Sequence, residues 1–253
     1  MKPLDKPLLV ASIAAMTIWV AATSILTRYV RTSMRPWLLS AAGVLVIASA
    51  IKVIRTWRHC NDRDANDEGH AHNGRVGWLL LLPVVIAVLA DPSALGAASI
   101  ARGQSPLRQP RTPHLDLQRF LTTHSAGGQV PRLTMTQFLA AASDNNDSAQ
   151  LAATEVELLG FVVANTPNGF LLARLQIGCC AADAVPIVVD VVAAQPVHYA
   201  PDTWLAVQGR YDRTTTEARL QSTKNTTEVP YPVFVASTIS PTKAPDPTYE
   251  YPY

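Results

Sequence analysis

From Leu8 to Thr27, twenty residues pass without a charged side chain. At a helical rise of about 1.5 Å per residue, such a run reaches about 30 Å, the hydrocarbon thickness of a bilayer. It is longer than the apolar core of a cleaved signal peptide, about 7–15 residues, so an uncleaved anchor is expected. Arg28, Arg31 and Arg35 close the run, and Pro36 opens a second apolar segment, extended to Ile54 if Lys52 snorkels. A third follows Gly77 and Trp78 and stops at Asp91-Pro92, a pair that marks a helix end at the water boundary. The sequence thus predicts three transmembrane helices, over about 8–27, 37–54 and 77–91, in a membrane domain 1–101.

Charge divides the chain in the same place. Of its 253 residues 48% are hydrophobic and 16% charged, which excludes a disordered, solvating protein. The formal charge of +2 resolves into +4 for residues 1–101 and −2 for the rest. A chain held to nucleic acid by charge would be more basic, so no nucleic-acid partner is expected. Positive residues are slightly more numerous on the side shared by the amino terminus and the 55–75 loop, which predicts a multi-pass protein of the cell membrane with its carboxy-terminal domain extracytoplasmic. The spans lack a regular set of charged side chains, so independent transport is not expected.

The 55–75 loop contains His59, Cys60, His70 and His72, all groups that bind zinc or related ions. Their spacing matches no closed tetrahedral motif, and a polar loop between helices carries such residues in any case.

Prolines at 106, 110 and 113 make 102–113 an extended linker. Helical patterning follows from His114 to Ser143, with Thr134 and Gln137 placed as a capping box, and Asp144–Gln150 reads as a polar break. The period then becomes two. Val156–Val163 reads as a strand with an irregularity at Gly160, Asn168-Gly169 turns the chain into Phe170–Ile177, and Ile187–Val192 and Trp204–Tyr211 follow. Arg219–Ser222 and Phe234–Ile239 are further strand candidates. The expected fold class is therefore membrane α plus all-β: three amino-terminal transmembrane helices, a Pro-rich tether, short helices and a small antiparallel barrel of the oligonucleotide/oligosaccharide-binding (OB) kind within 114–253. Phe161, Phe170, Trp204 and Phe234 are expected in its core.

Two adjacent thiols, Cys179 and Cys180, precede Asp183 at the end of a strand. Soft and hard ligand atoms this close suit a metal or a thiol reaction. The same residues also suit one small buried hydrophobe, one turn residue and a turn-forming carboxylate. Two thiolates and a carboxylate leave a tetrahedral zinc site one ligand short, and His198 is the candidate fourth by composition alone.

Cys180-Ala181-Ala182-Asp183, the preceding Cys179, the strand Leu205–Tyr211 and the ending Asp246-Pro247-Thr248-Tyr249-Glu250-Tyr251 together resemble the YcgQ-like family of bacterial membrane proteins, regarded as permease subunits. Family members pair amino-terminal spans and a His-rich loop with a carboxy-terminal domain bearing a Cys-x-Ala-Asp signature. The resemblance implies a membrane-anchored, non-enzymatic accessory subunit of a polytopic permease, with zinc as the implied metal at Cys180 and Asp183 first and Cys179 second. The loop here departs from the family in retaining only His59, Cys60, His70 and His72. Two other functions are consistent with the residues: a thiol oxidoreductase using Cys179 and Cys180, and a structural envelope anchor whose barrel binds a peptide or partner by strand addition.

Overall fold

The computed structural model describes residues 29–59, 95–101, 116–124, 129–222 and 230–252. The chain divides into two units, Met1–Ala94 and Leu95–Tyr253.

In the first unit a 3-10 turn, Thr32–Met34, leads into α1, Arg35–His59. The expected second span falls on this helix. Its uncharged stretch, Pro36–Ile51, is only sixteen residues, ended by Lys52 and followed by Arg55 and Arg58. Sixteen residues reach about 24 Å, short of the roughly 30 Å hydrocarbon layer. Among the described residues no helix is long and apolar enough to cross a membrane. The three-span architecture and the multi-pass cell-membrane location drawn from it are therefore not supported. The other two expected spans, 8–27 and 77–91, lie outside the described residues, as does the whole of the expected 102–113 linker.

The second unit begins before that linker. Its first element is α2, Ala97–Ala101, with Ala97 and Ser99 buried. The Leu95 N–H donates to the Tyr249 hydroxyl at 3.0 Å and the Ala97 N–H to Asp202 Oδ1 at 2.6 Å. The backbone turns sharply there. Asp202 has a φ of 65°, and a Cβ on Gly96 would come within 2.2 Å of its Oδ1.

After α3, Leu117–His124, and the two-residue β1, Arg132–Leu133, comes α4, Met135–Ser143. The capping box is present: the Gln137 N–H donates to Thr134 Oγ1 at 3.1 Å, and the Thr134 N–H to Gln137 Oε1 at 2.9 Å. The expected polar break is instead a helix, α5, Asn145–Ala153. Asp144 accounts for it, accepting from the N–H groups of Asn146 and Asp147 and so serving as an N-cap rather than a loop residue.

The strands β2, Val156–Thr166, β3, Gly169–Gln176, β4, Val185–Val192, β5, Trp204–Tyr211, and β6, Val233–Pro241, form a five-stranded barrel in the order β2-β3-β4-β6-β5, closed by pairing of β2 with β5. It is not purely antiparallel as expected, because β4 runs parallel to β6, and β1 parallel to β2. Pro167 and Asn168 make the hairpin turn, with Gly169 already in β3, where a Cβ would stand 2.0 Å from the Val191 carbonyl oxygen. The irregularity in β2 lies between Val162 and Ala164 rather than at Gly160. Arg219–Ser222 is not a strand but the end of α6, Arg213–Ser222. Asp212 starts this helix by accepting from both the N–H and the hydroxyl of Thr215, and the local cap overrides the residues' strand propensity.

Helix α4 plugs the barrel. The Phe138 ring meets those of Tyr211 and Phe234 edge-on, each at 5.7 Å between centroids. Around it lie Met135, Leu158, Phe170, Leu172, Val189, Leu205 and Val207, all with no exposed surface. Of the four aromatic residues expected in the core, Phe161, Phe170 and Phe234 are buried, and Trp204 is half-buried.

Candidate functional site

Between β3 and β4 the chain must reverse over Ile177–Ala184, and the cysteine pair lies in this reversal. Gly178, Cys179 and Cys180 lead into a 3-10 turn, Ala181–Asp183. The Asp183 N–H donates to the Cys180 carbonyl at 3.0 Å. Its carboxylate folds back, Oδ1 accepting from the Gly178 N–H at 3.0 Å and Oδ2 from the Cys179 N–H at 2.9 Å. Both oxygens are engaged within the turn. A Cβ on Gly178 would press to 2.9 Å from Asp183 Oδ2, so glycine is what allows the carboxylate to close on the backbone.

These contacts set the electrostatics. Partial burial pushes the Asp183 carboxyl upward, but N–H donation from Cys179 and Gly178 outweighs it and holds the group below the usual carboxylate range. Cys179 responds oppositely. Chiefly through its side-chain hydrogen bond to Asp183, and then through Cys180, its thiol is pushed up to about 11. Cys179 is exposed, Cys180 half-buried, and neither is in a disulfide. Their Sγ atoms stand 3.7 Å apart.

The turn therefore brings Cys179, Cys180 and Asp183 together, as the sequence suggested, but as a thiol pair braced by a carboxylate. Among the described residues there is no group of three or more His, Cys, Asp and Glu side chains placed to hold a metal ion. Zinc does not fit, because Asp183 is turned inward onto the backbone and a tetrahedral site would need two further ligands. His198 is exposed in the loop after β4 and completes no such group. Of the loop candidates, His59 is the last residue of α1, whereas Cys60, His70 and His72 lie outside the described residues.

A second polar constellation was not anticipated from the sequence. Glu250 caps α4 from the carboxy-terminal end of the chain. Its Oε1 accepts from the Met135 N–H at 2.8 Å, and its Oε2 from the Thr136 N–H at 2.8 Å and hydroxyl at 2.7 Å. A negative charge at a helix N-terminus is favourable, and here it is buried. Gln176 donates to Thr136 Oγ1 at 3.1 Å. The Arg174 guanidinium lies over the Trp204 ring at 5.1 Å, with Nε 3.9 Å from Glu250 Oε1. Burial lowers the Arg174 pKa, and Glu250 partly restores it. Main-chain bonds tie the tail to β3: the Glu250 N–H donates to the Leu175 carbonyl, and the Ile177 N–H to the Glu250 carbonyl, both at 2.9 Å. The one signal in the sequence is Arg174 itself, a charge at an inward position of the alternation Phe170, Leu172, Arg174. The tail thus braces the last residues of β3, from which the cysteine turn leaves.

A DUF1980 C-terminal domain is found at residues 131–252, a range that runs from the residue before β1 through the cysteine turn to the tail. No curated protein and no solved structure matches the chain.

Proposed function

We propose that the barrel unit is a non-catalytic docking module, an accessory subunit of a polytopic permease, and that the Cys179–Asp183 turn is its contact element. The observation that carries this reading is the bracing of an exposed turn from two sides, by Asp183 within it and by the Glu250 tail beneath it. A pre-ordered surface loop loses little entropy when a partner binds. The likeness of Cys180 and Asp183 to the Cys-x-Ala-Asp signature of YcgQ-like permease subunits supports the kind of partner. The thiol oxidoreductase reading draws no support from the turn, since an attacking thiol must ionise near neutral pH and Cys179 is pushed the other way.

A photo-crosslinking residue at exposed Ala182, in the full chain expressed in its native host, tests the reading against the same residue at exposed Lys243. Capture of a polytopic transport protein from position 182 and not from 243 is expected. Capture from neither, or from 243 alone, would overturn the docking assignment.

A further inference from the structure

The chemistry of the paired thiols goes beyond the docking reading. Cys179 is exposed, Cys180 half-buried, and their sulfurs are already 3.7 Å apart on a turn fixed by Asp183. Two bonds of about 2.3 Å to a shared thiophilic atom, the length sulfur makes to zinc, span up to about 4.6 Å, so both sulfurs can reach one centre without moving the backbone. A divalent cation at such a pair would still lack donors, because Asp183 is engaged and no further ligand group is at hand among the described residues. A centre that needs only two protein sulfurs, and fills its remaining valence itself, meets no such shortage. Trivalent arsenic carrying one organic or hydroxyl substituent is that kind of centre.

We propose that Cys179 and Cys180 form a bidentate covalent site for trivalent arsenic species, arsenous acid or a mono-organoarsenical. The step is a condensation. Two As–S bonds form and two As–O bonds break, the two thiol protons leave with the two hydroxyl groups as water, and arsenic stays trivalent, so no oxidant or reductant is needed. The raised pKa of Cys179 slows attack by its thiolate on oxidants, disulfides and arsenic alike, so the affinity of the site rests on the chelate that the two placed sulfurs close. Closing the second As–S bond is intramolecular, so the pair should bind about 10²–10⁴-fold more tightly than one thiol alone.

The test uses the purified full chain carrying Cys60→Ser, which leaves the pair as its only thiols. It is titrated with phenylarsine oxide and, separately, with arsenite, and read by intact-mass spectrometry and by competition against a monothiol and a dithiol. One arsenic per chain is expected, stable to excess monothiol and released by dithiol, with Cys179→Ser and Cys180→Ser each weakening binding about 100-fold or more. Both cysteines lie outside the barrel core, and an unchanged thermal melt confirms that each variant is folded. Smaller losses in either variant, or an adduct that monothiol removes from the pair, would overturn the proposal. Retention of phenylarsine oxide without arsenite would restrict the ligand to organoarsenicals. No partner protein enters the assay, so its outcome is independent of the permease reading.

Discussion

Helices α1 and α4 are both rich in apolar side chains and have opposite surroundings. In α4, Met135, Phe138 and Ala141 recur at a helical interval and are fully buried against the barrel. In α1 apolar residues are spread around the axis, and Trp37, Val44 and Ile47 are 72%, 65% and 60% exposed. A one-sided stripe needs one partner surface, whereas an all-round apolar helix needs a surrounding medium or several partners. Hydrophobicity states a demand for burial, and the spacing states from which direction it can be met.

The contrast is broken most directly at its centre. Phe138→Ala removes the ring that contacts Tyr211 and Phe234, and the barrel unit should lose about 3–5 kcal/mol, measured by urea unfolding followed by tyrosine and tryptophan fluorescence. Ile47→Ala on exposed α1 should stay within about 0.5 kcal/mol in the same measurement. Equal losses would show that α1 is as deeply packed as α4.

A smaller effect belongs to the polar end of α4. Glu250→Ala leaves the Met135 and Thr136 N–H groups without their buried acceptor and Arg174 without its nearby counter-charge, and about 2–3 kcal/mol should be lost. Hydrogen exchange should accelerate at the first turn of α4 and at Ile177, whose N–H bonds to the tail. A variant as stable as the parent would show that the capping box alone secures that helix.

The smallest expected change is at the turn. Asp183→Asn should cost about 1 kcal/mol and should move the alkylation midpoint of Cys179 from about pH 11 toward the ordinary thiol range, because the chief cause of the elevation is gone. The sign for acid follows from the depressed Asp183 pKa. Its contribution is fully present above the ordinary carboxylate value and is lost as pH falls through the lower folded value, so the Gly178 and Cys179 amides should become less protected only in that acid range. Loss of protection near neutral pH would mean that a different group braces the turn.

Local patterns were the most readable part of the chain. Thr134 and Gln137 announced a cap, period-two alternation announced the hairpin of β2 and β3, and Cys179, Cys180 and Asp183 stood out as one cluster. Helices α5 and α6 were missed because Asp144 and Asp212 are equally good turn residues and N-caps, and one side chain's choice between those roles decides the segment. The second expected span failed for a different reason: its apolar residues are numerous, but the uncharged stretch ends at Lys52 before it reaches membrane thickness. The ending that contains Glu250 stood out, but its capping role did not, because its partners, Met135 and Thr136, lie more than a hundred positions away.

By itself, then, the sequence determined the elements whose causes are near neighbours: the cap of α4, the alternating strands and the adjacency of two thiols and a carboxylate. Tertiary structure decided the parallel pairing of β4 with β6, the burial of Arg174 against Trp204 and Glu250, and the turning of Asp183 onto the backbone rather than toward a ligand. The physical reason is range. A propensity or a hydrophobic period acts over a few residues, whereas a buried charge is tolerated only where distant parts of the chain converge to supply its partners.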